Sequence, residues 1–243
     1  MMKLIVAETY DSLSRQAVDD LLAIIEKKEQ PLLCVASGDS PAGLYRELVH
    51  RVKEEGLDVS GWLFLSLDEW SGMNGKDEGS CRFHLDRELF GPLQVSEERI
   101  CFFDGRHKDP EAECSRIENF IQQNGGIDLA IVGLGMNGHI GMNEPGTSPL
   151  LRAHIAELAE ETKKVGQKYF QEPVDLANGI TLGIADLADA RNVFLVVNGK
   201  HKAGILQKAL EEPVSETLPA SWLQKHPRST VYADKEAAAL LKN

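Results

Sequence analysis

The sequence reads as an α/β protein, a three-layer, mostly parallel Rossmann-like sheet with helices on both faces. Three observations predict this. Short apolar runs alternate with helical patterns along the chain. The runs are continuously apolar, as strands covered on both faces are. Polar, glycine-bearing segments follow several of them, where such sheets keep their chemistry.

Taken in order, residues 3–7 (KLIVA) form a first strand. Residues 11–27 carry Leu13, Val18, Leu21, Leu22 and Ile25 as a helical stripe. Residues 31–36 (PLLCVA) form a second strand, followed by the turn SGDSP, with Pro41 suited to a first helical position and helix to about Glu55. Residues 62–67 (WLFLSL) are a third strand ending at Asp68-Glu69-Trp70. A polar loop spans 71–80, a helix 81–90, a strand 98–103 and a helix 110–123. The most apolar strand, 127–132 (IDLAIV), opens into GLGMNGHIGMNEPG. Beyond it the pattern weakens. A Glu/Lys-rich helix is expected over 159–171, a strand over 192–197, a helix over 200–210, a short strand over 229–232 and a last helix over 234–241. No repeat, low-complexity tract or linker interrupts the 243 residues, so one domain spanning 1–243 is expected.

The net charge of −12 disfavours nucleic acid and requires any anionic substrate to be held by local cations and backbone N–H groups. No apolar run approaches the ~20 residues that cross a bilayer, and the opening MMKLIVAETYDS turns polar too soon for a signal peptide. Cys34, Cys81, Cys101 and Cys114 form no C-x-x-C pair; no disulfide framework, and a reducing cytoplasm, are expected.

Three segments stand at strand ends. Ser37-Gly38-Asp39-Ser40 is either a phosphate cradle at a helix N-terminus or a plain turn with Ser40 as helix cap. Asp39 would repel a phosphate unless it points away. Asp68 and Glu69 are adjacent, and strand alternation lets one of them face a cleft as a base. Gly133-Leu-Gly-Met-Asn-Gly138 matches G-x-G-x-x-G, but the following residues continue a loop instead of opening a helix, which argues against a dinucleotide site. That loop instead places His139 and Glu144 at a ligand's edge. Imidazole gives and takes protons near neutrality, and a carboxylate can orient it. There is no metal-ligand spacing, no G-x-S-x-G elbow, and no cofactor is expected. The stretch 157–168 reads as a solvated helix face.

Leu67-Asp-Glu-Trp70 together with Gly133–Gly146 resembles the glucosamine-6-phosphate deaminase/isomerase family. The resemblance extends through Ser37–Tyr45, Gly199-Lys-His-Lys202 and Leu218–His226. Leu67–Trp70, Gly79-Ser-Cys81, Gly126-Ile-Asp-Leu129 and Gly179-Ile-Thr-Leu-Gly183 look closer to its galactosamine-6-phosphate isomerase branch. The resemblance implies a sugar-phosphate substrate and a set of roles. His139 would open the pyranose ring, with Asn137 and Glu144 supporting it. Asp68 would move the C2 proton to C1, after which ammonia leaves. Ser37, Gly38, Asp39, Ser40, Lys168 and Lys202 would hold the 6-phosphate. The chain is thereby expected among the isomerases and deaminases of amino-sugar metabolism, and among the hydrolases.

Departures are visible. Asn137 replaces an Asp of some members, Lys168 an Arg, and Asp39 a small residue. Where activated members carry a basic pair, this chain has His154 and Ala156, so no allosteric activation is expected. A monomer or small homo-oligomer is expected, without membrane or nucleic-acid partners. Two rivals share the fold: a 6-phosphogluconolactonase, which needs no base at C2, and a non-catalytic sugar-phosphate-sensing domain.

Overall fold

Strands β2 (Leu32–Val35), β6 (Leu129–Gly133) and β9 (Val193–Val197) are built from β-branched and aliphatic residues that leave almost nothing in water. Such strands are stable only where both faces are covered. With β1 (Lys3–Ala7), β3 (Leu63–Ser66), β5 (Ile100–Cys101) and β10 (Ser229–Asp234) they form a seven-stranded sheet in the order β1-β10-β9-β6-β2-β3-β5. Every neighbouring pair in it is parallel. The computed structural model describes residues 2–242; Met1 and Asn243, the ends of the expected domain, lie outside the described residues.

Alternation along the strands divides the core in two. Leu33, Val35, Ile131 and Phe194 face the helices α1 (Tyr10–Ile25) and α2 (Asp39–Glu55), meeting Leu13, Val18, Leu44 and Leu48. Leu32, Cys34, Val132 and Leu195 face the other side, meeting Ile117 of α4 (Pro110–Gln123), Leu187 of α6 (Ile184–Asp189) and Leu206 of α7 (Ala203–Glu211). These are the three expected layers. The four cysteines are buried and free, consistent with their use as small apolar side chains.

Helix starts follow their caps. Thr9 and Ser12 form a reciprocal capping box on α1, and Asp109 caps α4 with Pro110 in the first turn. At α2 the alternative of a plain turn capped by Ser40 fails. Gly38, with φ of 123°, makes the turn a residue earlier, Asp39 opens the helix, and no side chain caps it. The first N–H groups of α2 are therefore left open.

Two other expectations are corrected. Residues 235–240 form successive turns, not a helix. Ala238 N–H donates to Asp234 O but Leu241 N–H to Ala238 O, a mixed spacing, and so short a segment cannot meet the cost of helix nucleation by itself. A second, antiparallel sheet in the order β4-β8-β7 was not anticipated. It joins β4 (Asp68–Trp70), β8 (Asn178–Thr181) and β7 (His154–Glu157) beside the carboxyl end of β3.

Candidate active site

β9, β6, β2 and β3 are consecutive neighbours in the sheet. At about 4.8 Å per strand, the loops at their carboxyl ends fall within roughly 15 Å of one another. Those loops carry Asn198 and Lys202, His139, Ser37–Ser40, and Asp68 respectively. All of them line one cavity of about 420 Å³, the crevice that a parallel sheet offers beyond its strand ends.

His139 is held inside its own loop. Its Nδ1 lies 2.7 Å from Asn137 Oδ1, which also accepts the His139 backbone N–H at 3.2 Å. Asn137 Nδ2 donates to Glu144 Oε2 at 2.7 Å. An ionised carboxylate only accepts, so the Asn137 amide must present its oxygen to the ring, and Nδ1 must carry the hydrogen. Nε2 is then the unprotonated nitrogen of the neutral ring. Burial lowers the His139 pKa, Glu144 counters it and Lys202 adds to the drop. Glu144 Oε2 is 3.7 Å from Nδ1, close enough to favour the imidazolium when it forms. Gly135 makes room for this arrangement, since a Cβ there would sit 2.3 Å from the imidazole.

The adjacent acids separate as strand alternation requires. Asp68 lines the cavity while Glu69 turns away, fully buried. Glu69 accepts the backbone N–H groups of Trp70, Cys81 and Arg82 at 2.8, 2.9 and 3.0 Å. It thereby anchors the start of α3 (Cys81–Leu85). Burial raises the Asp68 carboxyl to about 6, with the nearby Cys81 thiol offsetting part of the rise. A carboxyl poised there exchanges protons close to neutrality.

At the opposite end, Ser37, Gly38, Asp39 and Ser40 line the wall with Lys168, His201 and Lys202. Tyr10 Oη accepts the Gly43 N–H at 2.6 Å and lies 2.6 Å from Asp39 O, fixing the loop against α1. Ser40 Oγ donates to Asn198 Oδ1 at 2.8 Å. Lys202 Nζ donates to Leu134 O at 2.5 Å, and burial together with Lys168 lowers its pKa to about 8. Asp39 points away from the loop's N–H groups and pairs with Lys168 at 2.6 Å. Both cations of this end thus have protein partners.

The stretch read as a solvated helix is the cavity's outer wall. It folds as α5 (Glu160–Gly166) and a 3₁₀ turn Gln167–Tyr169. Thr162, Val165, Gly166 and Tyr169 all face the cavity, a stripe at i, i+3, i+4 and i+7 that was present in the sequence. Thr162 Oγ1 reaches within 3.2 Å of His139 Nδ1. Trp70, Cys81, Thr162, Tyr169, Asn198 and His201 are cavity residues that sequence reading did not single out as site residues. Among the described residues, no three His, Cys, Asp or Glu side chains gather as metal ligands, and no helix is long and apolar enough to cross a membrane.

A family model described as glucosamine-6-phosphate isomerases/6-phosphogluconolactonase matches residues 6–232. A glucosamine-6-phosphate deaminase of Geobacillus sp. (strain WCH70) is 36% identical over 99% of this chain and 96% of its own length. Glucosamine-6-phosphate deaminase 1 of Bacillus subtilis (strain 168) is 35% identical over 98% of this chain and 99% of its own. A solved monomeric glucosamine-6-phosphate deaminase superposes with a TM-score of 0.94 at 34% identity, covering 98% of this chain and 100% of that one. The 6-phosphogluconolactonase of Trypanosoma brucei shares the fold, with a TM-score of 0.76 at 19% identity over 100% of this chain and 99% of its own. The expectation of a hydrolase falls with these findings. The relatives are named deaminases, and the lactone-hydrolysing protein of Trypanosoma brucei shares only 19% identity.

Proposed function

The chain belongs to the family of glucosamine-6-phosphate isomerases and 6-phosphogluconolactonases, and from that premise we propose that it isomerises and deaminates an amino-sugar 6-phosphate. The observation that carries this reading is the pairing, in one cavity, of an imidazole with a bare Nε2 and a buried carboxyl raised to about 6. A lactone needs a proton relay at one carbon only. An aldose-to-ketose shift needs a second base at C2, and Asp68 is the group that supplies it.

In this reading the phosphoryl group lies against the open N–H groups of α2, Ser37–Ser40, Lys202 and Lys168. The sugar then runs toward His139 and Asp68. His139 Nε2 takes the proton of the C1 hydroxyl and delivers it to the ring oxygen as the C1–O5 bond breaks and C1 becomes an aldehyde. The Asn137–Glu144 relay holds the tautomer and stabilises the charge on the ring. Asp68 takes the proton from C2 and returns it to C1 through an enol-type intermediate. The C2 imine that results takes up a water molecule, ammonia leaves as the C2–N bond breaks, and a 2-ketose 6-phosphate remains. Every step that the protein's groups perform is a proton transfer.

The relatives' substrate, glucosamine 6-phosphate, is the first expected; its C4 epimer, galactosamine 6-phosphate, is the second. The test measures ammonia release from both at equal concentration, with the ketose identified. Turnover of 6-phosphogluconolactone by wild type and by Asp68→Asn alike would replace the deaminase with the lactonase. A ligand-induced rise in melting temperature without turnover would leave a sensing domain. Gel filtration checks the proposed monomer or small oligomer.

A further inference from the structure

The phosphate end of the cavity contains its own anion. Asp39 is the first residue of α2, and its backbone is pinned by the Tyr10 hydroxyl at 2.6 Å. Its carboxylate leaves the neighbouring N–H groups uncapped and takes the Lys168 ammonium instead. Lys168 stands on the outer wall, at the divide between the main cavity and a second hollow of about 330 Å³. Asp39 borders both spaces, and His84, Arg87 and Glu88 line the outer one, with Arg87 paired to Glu88 at 3.2 Å.

A carboxylate and a phosphoryl group are alternative acceptors for one ammonium. Two anions on the same Nζ repel, and a dianion held by α2 would meet the carboxylate at its first residue. The side chains of Lys168 and Asp39 are 45% and 73% exposed, so their pair is hydrated and cheap to open. The outer hollow gives the released carboxylate open, polar space to turn into.

We propose that Asp39 is an internal competitor for the substrate's phosphoryl group: it occupies Lys168 in the empty site, so binding exchanges one ion pair for another. Asp39 thus weakens the hold on phosphate and eases its departure. The inference rests on the reading above only in taking this end of the cavity as the phosphate site.

Calorimetric titration of wild type, Asp39→Asn, Lys168→Met and the double variant with inorganic phosphate and with fructose 6-phosphate tests it. Asp39→Asn should tighten phosphate about fivefold at low salt, a gain that shrinks toward none near about 0.5 M salt. Lys168→Met should weaken phosphate more in the Asp39→Asn background than in wild type, because the lysine is already engaged there. KM for the amino-sugar phosphate should fall in parallel while kcat does not rise. Weaker or unchanged phosphate binding by Asp39→Asn, a salt-independent gain, or strict additivity overturns the proposal in favour of a supporting role. Absence of ammonia release by wild type with the binding pattern intact sinks the deaminase reading alone. Absence of phosphate binding in all variants sinks the competitor.

Discussion

The two ends of the cavity are built on different physics. At the proton-transfer end, Asp68 and Glu144 are each less than a tenth exposed, and the imidazole, amide and carboxylate of residues 139, 137 and 144 bond one another within a single loop. At the phosphate end, Lys168 and Lys202 arrive from separate segments, and the Lys168–Asp39 pair is largely in water. Electrostatic terms are large in the first setting and screened in the second. Under the proposed function, the chemistry falls in the buried, preorganised half and recognition in the hydrated, adjustable half. Substitutions at the first should cost turnover and ignore salt. Substitutions at the second should move KM and respond to salt.

The largest effect is expected from Asp68→Asn. Loss of the C2 base should lower kcat by about 10²–10⁴-fold, read from ammonia release at saturating substrate. The same change should stabilise the fold. The Asp68 carboxyl is raised to about 6 by burial, above the unfolded value of about 3.9. Its ionisation therefore removes stability as pH rises from about 4 through about 6. Asn recovers on the order of 2–3 kcal/mol above pH 7 and nothing below pH 4. Thermal melts at both ends of that range check it. A variant that is inactive without being more stable at high pH would show that the site is wetter than the structure indicates.

His139→Gln comes next. Turnover of the closed sugar should fall about 100-fold, and that of an analogue already in the open form much less. Equal loss on both would move the imidazole out of ring opening. The comparison between the ends also fixes a pH profile. In kcat/KM, which reports the free enzyme, an acid limb near 6 belongs to Asp68 and an alkaline limb near 8 to Lys202. Asp68 must be ionised to act, so the rate falls below its limb. Lys202 must be charged to hold phosphate, so KM rises above its own. Lys202→Arg, whose guanidinium does not titrate in this range, should remove the alkaline limb and leave the acid one in place.

Legibility followed the same division. The sheet could be read because 31–36, 62–67, 127–132 and 192–197 are continuous apolar runs, and Asp68 and His139 because strand ends are where such sheets keep their sites. Their roles came from resemblance, since nothing in the spacing says which proton a histidine moves. The small antiparallel sheet was hidden because β7 (HIAE) and β8 (NGIT) are short and polar. The wall 160–169 was hidden by its Glu and Lys residues, although its inner stripe had helical spacing. The Asp39–Lys168 pair joins residues far apart in sequence, a contact that no local pattern contains. The reason for Gly135, the imidazole beside it, is likewise visible only in three dimensions.

The smallest effect sharpens the comparison most, because it concerns the residue that crosses between the two halves. Thr162 rides on the same wall as Lys168 yet touches His139 Nδ1 at 3.2 Å. Asn137 already accepts the Nδ1 hydrogen at a shorter distance, so Thr162 is a secondary support for the ring. Thr162→Val keeps the shape and removes the hydroxyl. It should lower kcat about threefold, near the net worth of one weak hydrogen bond, with KM unchanged and no added salt dependence, and Thr162→Ser should restore the rate. A change confined to KM would assign Thr162 to the hydrated half, and with it the whole wall. A loss as large as that of His139→Gln would mean that the wall, and not the loop, holds the imidazole in its working tautomer.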